Sequence, residues 1–101
     1  MVESNIYKLI RNIENRPELY LGNRKLTSLY FFINGYLLRC IELDDFHSQK
    51  IKDFHGWIRD ETGVEIDNWK DNLLADSNND EEKALMKFFF FINKFYSEIA
   101  S

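Results

Sequence analysis

Apolar residues recur along most of this chain at spacings of three and four, the repeat of a helix with one buried face. Ile6, Leu9, Ile10 and Ile13 form the first such stripe, which predicts a helix capped by Ser4 and running to about Asn15. Asn15-Arg16-Pro17 closes it, because proline disfavours helical backbone in the residue before it. Pro17 then suits the first turn of a short helix, Pro17 to Tyr20, stopped by Gly22. A further helix is expected to start at Thr27 or Ser28 and to end near Leu43. It is apolar on nearly every side, with Leu29, Tyr30, Phe31, Phe32, Ile33, Tyr36, Leu37, Leu38, Cys40 and Ile41, which marks it as a buried central helix. Gly35 inside it predicts a close helix crossing, since a mid-helix glycine costs about 0.8–1 kcal/mol against alanine.

The second half of the chain continues the pattern. Ile51, Phe54 and Ile58, with Trp57 beside them, predict a helix from about Phe46 to Thr62 with Gly63 as its left-handed stop. Val64 to Ile66 is read as a short extended piece. Asp67 is placed as the cap of a short helix carrying Trp69, Leu73 and Leu74. Asp76 to Asp80 reads as a polar loop, and Asn79 with Glu82 as the capping arrangement of a last helix. That helix sets Leu85, Phe88, Ile92, Phe95 and Ile99 on one face, while Phe89, Phe90 and Phe91 widen the stripe toward more than one neighbour. The expected architecture is all-α: one domain over residues 1–101, a compact bundle of four to five helices around a buried, aromatic-rich central helix.

Composition supports a packed core in a small chain. Of 101 residues, 45% are hydrophobic and 16% aromatic, and large rings offset short length because each can bury about 150–250 Å². Cys40 is the only cysteine, so no disulfide can form within one chain. The N-terminal residues show no basic stretch followed by an apolar run, so no signal peptide is expected. The longest apolar stretch, Leu29 to Ile41, is interrupted by Asn34, Gly35 and Arg39 and falls short of the ~18 residues of a membrane span. A soluble, cytoplasmic protein with no membrane partner is the expectation.

Motifs of catalysis are few. The chain has no glycine-rich phosphate loop, HExxH, CxxC or GxSxG. His47 and His55 are its only histidines, eight residues apart on one expected helix, hence more than ~10 Å apart and unable to share one metal. Cys40 lies in the most apolar helix, which suits burial rather than nucleophilic chemistry. No catalytic residue, metal or cofactor is therefore assigned, and no enzyme activity is expected.

Charge changes the picture more. Residues 42–82 hold thirteen Asp and Glu against four Lys and Arg, a net of −9, while the rest of the chain carries +5. Such a segment reads either as a solvated acidic face or as a surface for fast, steered association with a basic partner. The same layout argues against binding nucleic acid, which calls for a basic stripe. The candidate partner-binding set is Asp44, Asp45, Asp60, Glu61, Glu65, Asp67 and Asp71, with Trp69 as aromatic anchor or, equally, as core.

Several strings also occur together in order: Arg16-Pro17-Glu18-Leu19-Tyr20-Leu21-Gly22, Ser28-Leu29 with Phe32 and Gly35-Tyr36, Phe54-His55-Gly56-Trp57-Ile58, Asn68-Trp69, and Asp80-Glu81-Glu82-Lys83-Ala84-Leu85 leading into Phe88-Phe89. This order, over about residues 10–95, resembles small bacterial immunity proteins of polymorphic-toxin and contact-dependent growth inhibition systems. The resemblance implies a cytoplasmic protein that binds and neutralises one cognate toxin domain, a nuclease in many such systems, and supplies no catalytic residues. On that reading the free chain is a monomer and its complex is one-to-one. The alternative is a small helical adaptor or homodimerising regulator that uses an apolar patch from the aromatics in residues 88–96.

Overall fold

The computed structural model of the chain describes residues 5–43, 46–66 and 68–98, with the side chains of those residues other than 5, 37, 39–43 and 46–52. The described residues form six helices: α1 (Asn5–Asn15), α2 (Pro17–Leu21), α3 (Leu26–Leu43), α4 (Phe46–Thr62), α5 (Trp69–Asp76) and α6 (Glu81–Glu98). The all-α class holds, and the described residues form six helices where a bundle of four to five was expected; each of the six segments read as helical from the sequence is a separate helix.

Helix ends follow local chemistry. Arg16, ahead of Pro17, takes an extended φ of −143° and so ends α1, and Pro17 opens α2. Gly22 and Gly63 adopt left-handed φ values of 76° and 75°. Each donates its N–H back to the helix it ends, at Glu18 O (2.9 Å) and Arg59 O (3.0 Å). Two caps differ from expectation. Asn68, not Asp67, caps α5, its side-chain oxygen accepting the N–H groups of Lys70 and Asp71; Asp67 itself lies outside the described residues. Asp80, not Asn79, caps α6 by accepting the Lys83 N–H at 3.0 Å. Asn79 is taken up by the preceding turn, at φ 63° with its N–H on Leu74 O. Val64 to Ile66 is not a strand. It is a tight turn in which the Ile66 N–H donates to Val64 O at 2.9 Å.

The core lies between α6 and the inner faces of α1, α3, α4 and α5. Among the described residues, α6 supplies the largest share of the buried side chains. Helix α6 buries Ala84, Leu85, Phe88, Phe89, Ile92, Phe95 and Tyr96 and packs against α3, α4 and α5. Helix α3 buries Leu26, Leu29 and Ile33 but leaves Phe31 and Leu38 about two-thirds exposed. Helix α3 packs against α2, α4, α5 and α6, yet Phe31, Gly35 and Leu38 lie on a side that none of them covers, so the helix is not buried all round. Gly35 makes no close crossing either, for it is exposed and a Cβ built there meets nothing within 4 Å.

Aromatic rings join the layers. Phe54 of α4 contacts Trp57 of the same helix, Trp69 of α5, and Phe88 and Phe95 of α6, with ring centroids 5.4–6.4 Å apart. Trp69 and Phe88 lie 4.7 Å apart, and Tyr30 of α3 meets Trp69 at 5.1 Å. On the far side, Tyr7 of α1 stacks on Tyr96 at 4.2 Å and donates its hydroxyl to Asn93 Oδ1 at 2.8 Å.

Urea unfolding should separate the two sides of α6. Phe88→Ala should cost about 3–5 kcal/mol, whereas Phe90→Ala, at a position 64% exposed, should stay within about 0.5 kcal/mol. Gly35→Ala should raise stability by about 0.5–1 kcal/mol, since the added methyl meets no neighbour and helical backbone favours alanine.

Candidate protein interface

Asp60 and Glu65 flank Gly63 at the end of α4. With Arg59 they line an open, polar depression. The left-handed turn at Gly63 folds the chain back so that residues five apart in sequence share one surface feature. Both carboxylates are exposed, and neither makes an ion pair with another described residue.

The loop that carries Glu65 is held from beneath. Asn72 of α5 is fully buried. Its amide donates to the carbonyls of Val64 (2.9 Å) and Ile66 (3.1 Å), on either side of Glu65. Its oxygen accepts the Thr62 hydroxyl at 2.9 Å, and Thr62 also accepts the Val64 N–H at 3.2 Å. A buried amide with every contact satisfied holds one backbone conformation, so Glu65 stands on a rigid base.

The other acidic positions are occupied differently. Glu61 turns toward α6 and accepts a 2.6 Å hydrogen bond from Lys94 Nζ. This bond is the main reason the Lys94 pKa lies above its ordinary value; loss of solvent opposes it, and the Glu61 and Glu98 charges add to it in lesser measure. Asp71 pairs with Lys70 at 3.1 Å at the start of α5. Lys87 donates to the Asp76 carbonyl (2.7 Å) and carboxylate (3.1 Å), which closes the C-terminal end of α5. Glu81 accepts both the N–H and the hydroxyl of Thr27, at 2.9 and 2.7 Å, and so caps the start of α3 from α6. Much of the acidic excess in residues 42–82 thus serves helix ends and ties between helices.

Of the eight candidate contact residues, the structure brings Asp60 and Glu65 together, and places Glu61 and Asp71 in ion pairs. Trp69 is 1% exposed inside the aromatic cluster, so its ring belongs to the core and is not an anchor for a partner. Asp44, Asp45 and Asp67 lie outside the described residues. His55 is half-buried, and its Nδ1 accepts the Trp69 backbone N–H at 3.0 Å, a second tie at the start of α5. No group of three His, Cys, Asp or Glu side chains is placed to hold a metal among the described residues. None of the described helices is long and apolar enough to cross a membrane.

A second surface feature was only partly legible in the pattern. Met86 and Phe90 on the outer face of α6 are 58% and 64% exposed. They line a mostly apolar depression with Glu14, Phe89, Asn93 and Lys94. Their spacing of four, out of phase with the buried Leu85, Phe88 and Ile92, is the signal that sets them on the opposite face.

The chain matches no protein-family model, no curated protein and no solved structure.

Removing the Asn72 amide should expose the dependence of the Glu65 loop on it. Asn72→Ala leaves the Thr62 hydroxyl and two carbonyls without their buried partner, and should cost about 2–4 kcal/mol in chemical unfolding. Backbone amide exchange at Val64 to Ile66 should rise with it.

Proposed function

We propose that this chain is a stoichiometric protein inhibitor of the immunity type, which binds a basic toxin domain through the acidic end of α4. The observation that carries this reading is the pair Asp60 and Glu65, both exposed and in no ion pair with another described residue, Asp60 in the last turn of α4 and Glu65 on the loop that Asn72 locks from below, with Arg59 at the edge of the same depression. Preorganised charge of one sign steers a partner of opposite charge, and little ordering cost follows on contact. A nuclease domain offers such a partner, because its phosphate-binding groove is basic. Inhibition then consists of occupying that groove with carboxylates, and requires no bond to be made or broken. Glu61 sits in the same last turn of α4, but its bond to Lys94 must loosen before it can contribute. The order of motifs resembling immunity proteins supports the same reading.

The test is co-expression of the tagged chain with the product of the adjacent upstream reading frame. A one-to-one complex that protects cells from that product, and weakens as salt rises, is the expected result. Asp60→Asn with Glu65→Gln should slow association about tenfold or more while leaving the thermal midpoint unchanged. Unaltered binding in that variant would remove the contact assignment. Absence of both complex and protection would overturn the inhibitor reading.

A further inference from the structure

The outer face of α6 carries four residues at successive spacings of four: Glu82, Met86, Phe90 and Lys94. All four reach the surface. Glu82 is exposed and makes no ion pair with another described residue. Met86 and Phe90 are more than half exposed. Lys94 retains 40% of its side-chain surface while one of its protons is held by Glu61. The row therefore reads acidic, apolar, apolar, basic from one end to the other.

A row of that order is complementary to itself when reversed. Set against a second copy running the opposite way, Glu82 faces Lys94 of the second copy, Met86 faces Phe90 of the second copy, and the two-fold axis repeats both contacts. Parallel pairing would instead set like charges together at both ends. Residues four apart also form the ridge that packs between two helices crossing at about 50°, the commonest helix-packing class. The apolar depression beside Phe90, bounded by Glu14, Phe89 and Asn93, gives the Met86 side chain of the second copy a place to enter.

We infer that this face is a self-association surface, occupied in solution by the same face of a second copy of the chain in antiparallel register. The contact is isologous, so it closes as a dimer and does not propagate. It buries one helix face, less than the ~800 Å² per partner of a standard stable interface, which places dissociation in the micromolar range or weaker. The inference is independent of the inhibitor reading, because the Asp60 and Glu65 depression lies outside the row. It differs from the monomeric free chain expected from the sequence, and sedimentation velocity decides between them.

Sedimentation velocity from about 5 to 500 μM is the test, a range chosen to span association of this strength. The expected result is a reversible shift from monomer to dimer across that range. Phe90→Asp should weaken it at least tenfold with helicity unchanged by circular dichroism. Glu82→Lys alone and Lys94→Glu alone should each weaken it, and the double exchange Glu82→Lys with Lys94→Glu should restore it. Asp60→Asn with Glu65→Gln should leave it unchanged. A chain that stays monomeric across the whole range would overturn the proposal. So would a dimer indifferent to Phe90→Asp, or a double exchange no better than its two single variants.

Discussion

The ring of Phe54 is the contact on which the other helices depend. It sits on α4 yet meets Trp69 of α5 and both Phe88 and Phe95 of α6, and Trp69 in turn meets Tyr30 of α3. Four helices thus share one aromatic cluster, with Phe54, Trp69, Phe88 and Phe95 fully buried and Tyr30 half-buried at its edge. A domain of 101 residues has little interior, and large flat rings in edge-to-face contact fill it with few residues. The same economy explains why α6 carries so many of the buried side chains. It supplies buried residues to every neighbour, and its stripe is wide enough to meet three of them.

Polar ties then set the helix ends around that cluster. Glu81 caps α3 through Thr27, Lys87 closes α5 through Asp76, and Asn72 holds the α4–α5 loop through Val64 and Ile66. On the other side, Asn93 accepts from Tyr7 and donates to Glu14 and to Phe89 O, which docks α1 on α6. Each tie satisfies groups that would be costly to bury alone, so together they select one packing from the several that apolar stripes allow. They also account for much of the acidic charge. Among the described residues, Glu61, Asp76, Asp80 and Glu81 serve the fold, while Asp60 and Glu65 make no ion pair with another described residue.

Two surfaces remain on this frame, and Lys94 stands between them. Its ammonium is bound by Glu61 in the last turn of α4, next to Asp60, while its stem lies at the end of the apolar row on α6. Occupation of either surface changes the surroundings of that lysine. The two proposed surfaces therefore share a border, with distinct residues on each side of it.

The local pattern determined the all-helical class, the end of α1 at Asn15, the start of α2 at Pro17, the span of α4 with its Gly63 stop, and the inward row Leu85, Phe88, Ile92 and Phe95. These follow from local rules: the 3.6-residue repeat, the restriction before proline and the left-handed freedom of glycine. Tertiary structure decided the rest. Whether an all-apolar helix such as α3 is surrounded depends on how many neighbours the whole chain can provide, and here Phe31 and Leu38 stay outside. Whether Trp69 is an anchor or core depends on the rings that other helices bring to it. Whether a carboxylate is a contact or a cap depends on the lysine, threonine or backbone N–H that folding places beside it. Net charge counts the acids, but only their partners in space separate Asp60 and Glu65 from Glu61, Asp76 and Glu81.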